Sequence, residues 1–398
     1  MADEVKRNRL IPTSEPPVME QLKPVYITGT GAFLPGEVVA NDAMETYLGQ
    51  VSPCGSALGR RALRWNGIEG RHYALDAKGE WLHSNASMCA DAVRLALDAA
   101  GLGREDLQCL AAATTQGDLL VPGHASAVHG ELGGGGLELA SFQSVCASSM
   151  MAAKYAWMAV RTGEARCAAA TAGEFSSRWF RPEFYRDSAL VDAKGRLDMA
   201  ADFLRFTLSD GAGAVVMEPR PRPQGLSLRV DWIDTVSLAG QFDPCMWAGA
   251  TAEGRTDRDG GWSRQGPQTA HAAGALALQQ DFTLLKAVIR AWIGVYLEKV
   301  DAGRIDPSTV DHLLCHYSAR SLREEIVGIL ETTSAMIPEE RWFTTLPESG
   351  NVGSASIWIM LDGLIRSRRL QPRERILCIV PESGRAMVSF MMLKVETR

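Results

Sequence analysis

The feature that most constrains this chain is an internal echo. In the first half a long helical pattern leads into Asp106-Leu-Gln-Cys-Leu-Ala-Ala-Ala-Thr-Thr; in the second, a helical pattern from Phe282 to Val300 leads into Thr309-Val-Asp-His-Leu-Leu-Cys-His316-Tyr-Ser. Each is followed by a further helix, residues 125–132 and 320–330. Each half then predicts a short strand, a turn of small residues and another helix. The turns read Ser144-Val-Cys146-Ala-Ser-Ser and Ser349-Gly-Asn351-Val-Gly-Ser-Ala-Ser. Each half closes on an apolar strand running into a glutamate and small residues, Ala168 to Glu174 and Ile376 to Glu382-Ser-Gly384. A duplicated β/α unit predicts the α/β class: a five-layer αβαβα arrangement, helices outside and between two sheets, about a pseudo-twofold axis. Equivalent helix N-termini then face one another. Cys146 and Asn351 converge near the axis, and His316 ends a second-half strand.

The expected organisation is a mobile polar tail over residues 1–23, a first half over 24–219, and a second half over 225–398. The linker Arg220-Pro-Arg-Pro-Gln-Gly separates the halves. The net charge of -6 argues against a nucleic-acid partner. The eight cysteines form no CxxC pair and the N-terminus is charged and proline-containing, which fits free thiols in a reducing cytoplasm. No apolar run approaches the roughly 18 residues of a membrane span, and no Cys/His cluster has zinc spacing. The expectation is a cytoplasmic enzyme with no metal and no membrane span.

Cys146 sits where an apolar strand, Leu139 to Gln143, turns into a helix running to about Thr162. The N–H groups and partial positive charge of a helix N-terminus favour a thiolate, and so a nucleophile; the alternative is one more buried apolar thiol. Gly29-Thr-Gly31 lacks the third glycine of a dinucleotide loop, and Pro35 stops a helix from opening there. Residues 60–73 are basic and aromatic, either a solvated loop or a docking surface for an acidic partner. Residues 175–206 read as an irregular stretch rich in Arg, Phe, Trp and Tyr, a cap over a pocket or a surface excursion. The glycines of Leu208-Ser-Asp-Gly-Ala-Gly suit close backbone packing more than phosphate binding.

Taken together, Gly67-Ile-Glu-Gly-Arg71-His72, Ser144-Val-Cys146-Ala, Leu208-Ser-Asp-Gly-Ala-Gly-Ala, Cys315-His316-Tyr-Ser-Ala and Gly350-Asn351-Val-Gly-Ser-Ala-Ser resemble the β-ketoacyl-acyl-carrier-protein synthase III family of the thiolase fold. They lie in the family's order, from about Val25 to Val395. More narrowly, Arg71-His-Tyr-Ala-Leu-Asp, Phe203-Leu-Arg-Phe-Thr-Leu-Ser-Asp-Gly-Ala-Gly and Cys245-Met-Trp-Ala-Gly are similar to condensing enzymes that make dialkylresorcinols and cyclohexanedione lipids. Three departures favour a specialised enzyme over a housekeeping one. His-Gln-Ala-Asn is replaced by His316-Tyr317-Ser318-Ala319, the C-terminal glycine triplet by Ser383-Gly384-Arg385-Ala386, and Arg61 falls where a tryptophan stacks on coenzyme A, with Trp65 close by.

The resemblance implies a Cys146–His316–Asn351 triad and a ketosynthase working through an acyl-cysteine. Claisen condensation, decarboxylative or not, would join a β-ketoacyl and a second acyl chain and cyclise them to a cyclohexanedione or resorcinol precursor. It implies no organic cofactor, only phosphopantetheine-linked or coenzyme A thioester substrates, an acyl carrier protein partner and a homodimer. The oxyanion hole would come from backbone N–H groups of Cys146 and of Gly384 and Arg385. Val121, reaching the neighbouring subunit, and Phe206 would line the acyl tunnel. Arg61, Arg64, Arg320 and Arg323 are candidate carrier contacts. Glu174 is either a proton shuttle for ring closure or a structural hydrogen-bonding group. The competing readings are a fatty-acid starter enzyme, a head-to-head acyl condensing enzyme, a non-catalytic partner subunit and a Cys-His-Asn hydrolase.

Overall fold

The computed structural model describes residues 22–52, 56–257 and 260–397. Of the expected tail, residues 1–21 lie outside the described residues; Lys23 donates its N–H to the Arg161 carbonyl.

The first half contributes β1 (Tyr26–Phe33), helix α1 (Ala57–Asn66), helix α2 (Asn85–Ala100), β2 (Cys109–Thr114), α3 (His124–Leu132), β3 (Glu138–Gln143), α4 (Ser148–Thr162), β4 (Ala168–Glu174), α5 (Met199–Arg205) and β5 (Gly211–Glu218). The second contributes β6 (Leu226–Ser237), α6 (Phe282–Asp301), β7 (His312–Cys315), α7 (Arg320–Leu330), α8 (Ser356–Arg366), β8 (Arg375–Glu382) and β9 (Met387–Thr397). The nine strands run in the order β7-β8-β9-β6-β1-β5-β4-β2-β3. In the first half β3, β2 and β4 are parallel, followed by antiparallel β5 and β1. In the second half β7 and β8 are parallel, followed by antiparallel β9 and β6. The echo in sequence is therefore an echo in strand order and direction.

Two details differ from expectation. The two half-sheets are joined, because β1 pairs antiparallel with β6 at Tyr26–Arg229 and Ile27–Leu228. The second half also lacks a full counterpart of β3. Its segment forms only a parallel bridge, Leu313 with Trp342, extended by Phe343 N–H donating to the Leu313 carbonyl at 2.9 Å. Pro338 and the 3₁₀ turn Glu339–Arg341 leave little extended chain there to pair.

Five layers result. The central one holds α4 and α8, whose Met150, Ala153, Ala156, Trp358, Leu361 and Leu364 share one core. Small residues set this spacing: a Cβ on Gly213 of β5 would stand 2.6 Å from the Trp358 Cβ. Strands β2 and β4 are buried at every position, as continuous runs of small apolar residues covered on both faces. On the outer faces α2 packs on the first half and α6 with α7 on the second. The outer helices begin where the sequence offers caps. Ser84 accepts from Ser87 N–H and Gly101 ends α2 in the left-handed region (φ 75°), while Asp281 accepts from Thr283 and Leu284 N–H at the start of α6.

The basic, aromatic stretch at 60–73 divides: α1 leaves Arg61, Arg64 and Trp65 exposed, and the chain beyond it turns inward. Ser56 caps α1 by accepting from Gly59 N–H, and the chain then buries Arg71, His72 and Tyr73. The 175–206 stretch contains two 3₁₀ turns and α5. Among the described residues no helix is long and apolar enough to cross a membrane.

Candidate active site

Both central helices begin at a turn that faces one cavity. Cys146 precedes α4, with Ala147 as N-cap, and is 7% exposed. Asn351 precedes α8; its carbonyl accepts from Ser209 N–H at 2.9 Å, so the glycine turn leading into β5 carries the Asn351 loop. The side-chain oxygen of Asn351 accepts from Gly353 N–H at 3.0 Å, so its amide N–H groups are the part of the side chain left to donate. His316 follows β7, tied by its N–H to the Ile379 carbonyl of β8 at 2.9 Å. Cys146, His316, Asn351 and Glu174 line a single cavity enclosing about 1010 Å³ of empty space, its open mouth included. The 175–206 stretch covers it with Phe175, Trp179, Phe180 and Phe203, as expected of a cap. A second cavity of about 500 Å³ lies between α6, α7 and the second-half sheet. Its lining is mostly aliphatic and aromatic; the Tyr296 hydroxyl donates to the Ala335 carbonyl and the Trp342 indole N–H to the Ile337 carbonyl, and it shares Ile289, Trp292, Ile326 and Pro381 with the first.

The electrostatics correct the expectation of a helix-stabilised thiolate. Burial, reinforced by the carboxylates of Glu382 and Glu174, pushes the Cys146 thiol well above its ordinary value. Cys146 therefore rests as a neutral thiol, which needs a base before it can act as a nucleophile. Burial also lowers His316 to about 4, so its imidazole is neutral near pH 7, and its Nε2 is buried without a hydrogen-bond partner. A neutral imidazole can accept a thiol proton or, in the other tautomer, donate to a carbonyl oxygen.

Glu174 ends β4 and crosses to the second half. Its Oε1 accepts from Ser354 Oγ at 2.5 Å, Ser354 N–H at 3.3 Å, Thr115 Oγ1 at 2.8 Å and Thr115 N–H at 3.1 Å. Burial raises its carboxyl to about 7 despite these bonds. Gly353 is required beside it: its φ is +49° and a Cβ would stand 3.0 Å from the Glu174 Cγ.

The remaining candidates scatter. Gly384 is buried against the nucleophile turn, where an added Cβ would meet Val145 Cγ2 at 2.9 Å; Arg385 next to it is exposed and donates Nε–H to the Phe242 carbonyl. Phe206 is turned away from the cavity. Its ring fills the space at Gly59 and its carbonyl accepts from Asn66 and Arg71, while its neighbours Leu204, Thr207 and Leu208 form the wall. Val121 is 81% exposed beside exposed Leu119 and Leu120, on a loop that lines neither cavity. Arg61, Arg64 and Arg320 are exposed, Arg61 lying over the Trp65 ring at 4.8 Å; Arg323 is held by Glu339 at 2.6 Å. Glu382 had no assigned role, although the echo pairs it with Glu174. It accepts from Ser144 Oγ at 2.5 Å and Ala147 N–H at 3.0 Å, the residues flanking the nucleophile turn.

With this geometry in view, residues 300–392 match the 3-oxoacyl-[acyl-carrier-protein (ACP)] synthase III C-terminal family. A β-ketoacyl-[acyl-carrier-protein] synthase III of Hyphomonas neptunium is 25% identical over 352 residues, covering 88% of this chain and 93% of the relative. Two solved structures share the fold. The tetronic acid condensing enzyme AbyA1 has a TM-score of 0.72 at 23% identity, over 93% of this chain and 99% of that one. A Xanthomonas campestris OleA with bound lauric acid and lauroyl-CoA has a TM-score of 0.71 at 18% identity, over 94% and 99%.

Proposed function

We propose, from the premise that the chain belongs to the ketosynthase III family of acyl-transferring condensing enzymes, that it joins a β-ketoacyl thioester to a second acyl chain and cyclises the product to a cyclohexanedione or resorcinol precursor. The observation that carries this reading is the convergence of Cys146, His316, Asn351 and Glu174, from both halves, on one cavity.

In the first step His316 Nε2 takes the Cys146 proton as Sγ bonds to the acyl carbonyl carbon. The carrier thiol leaves, protonated by the imidazolium. Backbone N–H groups of Cys146 and the Gly384–Arg385 loop would serve the oxyanion. In the second step the β-ketoacyl partner gives its α-proton to the Glu174 carboxylate, which returns it to the Cys146 thiolate released at the end of the step, or a malonyl partner loses CO₂ and the thiolate is protonated from solvent. Asn351 and His316 hydrogen-bond the enolate oxygen. The α-carbon attacks the acyl carbonyl, a C–C bond forms, and the C–S bond to Cys146 breaks. Ring closure forms a second C–C bond and releases the remaining carrier thiol. Glu174, with a carboxyl near 7 in the same cavity, is suited to move the proton. The adjoining apolar cavity gives room for a second alkyl chain.

The substrates are phosphopantetheine or coenzyme A thioesters, with an acyl carrier protein met at the exposed Arg61, Arg64 and Arg320. Two copies would pair along the exposed edge strand β3, with Val121 of one reaching the other. The described cysteines are all free, which suits a reducing cytoplasm. Product analysis tests the reading. Given a β-ketoacyl and an acyl carrier thioester, the enzyme should release a cyclic 1,3-diketone. A linear β-keto acid alone would instead favour head-to-head or starter-type condensation.

A further inference from the structure

Glu382 is the last residue of β8, in the second half, yet its carboxylate is spent on the first. One oxygen accepts from Ser144 Oγ at 2.5 Å and the other from Ala147 N–H at 3.0 Å, so the two bonds bracket Cys146. The side chain is 1% exposed. Two residues on, Gly384 abuts Val145 of the same turn. Pro381 and Ser383 line the cavity while Glu382 does not, so it stands behind the turn, away from substrate. Its counterpart Glu174 does the reciprocal task, holding Ser354 and Thr115 from the first half. Each half's closing glutamate thus fastens the other half's catalytic turn.

We propose that Glu382 is a positioning residue: its carboxyl group fixes the Ser144–Ala147 turn from across the pseudo-twofold axis, so that Cys146 faces the cavity with that carboxyl group behind it. This rests on the reading of Cys146 as the acyl acceptor. A buried carboxylate at this place would be costly unless hydrogen-bonded, and its bonds go to Ser144 Oγ and to the Ala147 N–H at the start of α4. The titratable groups around Cys146 are Glu382 behind the turn and Glu174, His316 and Tyr317 lining the cavity. A neutral isostere at 382 removes one of the two carboxyl groups beside the thiol and leaves the shape; burial pushes the Glu382 carboxyl up, so its charge bears on the thiol on the alkaline side of the profile, where the thiol itself titrates.

The test is alkylation of Cys146 by iodoacetamide across pH, read by peptide mass spectrometry on the full chain, for wild type and Glu382→Gln. The expected result is a midpoint lowered by about one pH unit in the Gln variant, the effect of removing a nearby like charge, with an unchanged melting temperature. Superimposable profiles overturn the proposal. Glu382→Ala removes the acceptor as well as the charge, and its acyl transfer should fall roughly 10²-fold in kcat, with Gln recovering most of it. Wild-type acyl transfer in a folded Ala variant also overturns it; if the Ala variant does not fold, the Gln profile decides. Alkylation needs no acyl substrate, so this outcome is separate from failure of the condensation itself.

Discussion

Glu174 accepts hydrogen bonds from both the hydroxyl and the backbone N–H of Ser354, 180 residues away in the chain and in the opposite half of the molecule. The contact places a first-half carboxyl at the start of the helix that follows Asn351. It also has a price in pH: burial raises the carboxyl to about 7, so the folded state binds a proton that the unfolded chain has released. Stability from this group is complete below the unfolded value near 4.5 and falls as pH rises toward 7. The size is roughly 3 kcal/mol. Denaturation of wild type and Glu174→Gln at pH 5 and pH 8 should show the wild type losing more stability across that span. Equal losses contradict the assignment.

His316 is held neutral by burial, its pKa lowered to about 4. Cys146 acylation should therefore keep its base well below the ordinary histidine value. The acid limb of the acylation rate is expected near pH 4, and a limb at 6.5 would show the imidazole to be freely solvated. His316→Ala should lose roughly 10²-fold or more in rate.

In the proposed reaction Asn351 serves the enolate, not the first acyl transfer. Asn351→Ala should still form an acyl-enzyme while product formation falls roughly 10²–10³-fold. Quenched reactions analysed by intact mass would show the adduct accumulating. Equal loss of adduct and product would place Asn351 in the first step.

Leu330 lines only the second cavity. Leu330→Trp should fill it and shorten the acyl chains accepted, leaving the shortest substrates unaffected, at a stability cost of about 1–3 kcal/mol. A chain-length profile identical to wild type would show that no alkyl chain enters there.

Much of this architecture was legible because the sequence repeats itself. A strand–turn–helix unit written twice predicts equivalent helices meeting at an axis, and Cys146, His316 and Asn351 do share one cavity. Helix ends were legible where caps stand in the sequence, as at Ser84, Gly101 and Asp281. Properties that depend on distant packing were not. The thiol of Cys146 looked activated from its helix, but burial and two carboxylates, one of them 236 residues on, decide its protonation. Glu382 was visible as one of a pair, yet its task needs the fold, because its partners Ser144 and Ala147 belong to the other half. Phe206 was expected in the tunnel wall from the resemblance, and only the fold shows its ring filling the space at Gly59 instead. Of the 60–73 stretch, Arg61 and Arg64 are exposed as their charge suggested, but Arg71 is drawn inward, its guanidinium donating to the carbonyl of Phe206.

The most direct test of the central claim is intact-protein mass spectrometry after incubation with acyl carrier thioesters, comparing wild type with Cys146→Ala. A single acyl mass added to wild type and missing from the variant is the predicted result. A folded wild-type protein that gains no adduct at any chain length would contradict the claim that Cys146 receives the acyl group.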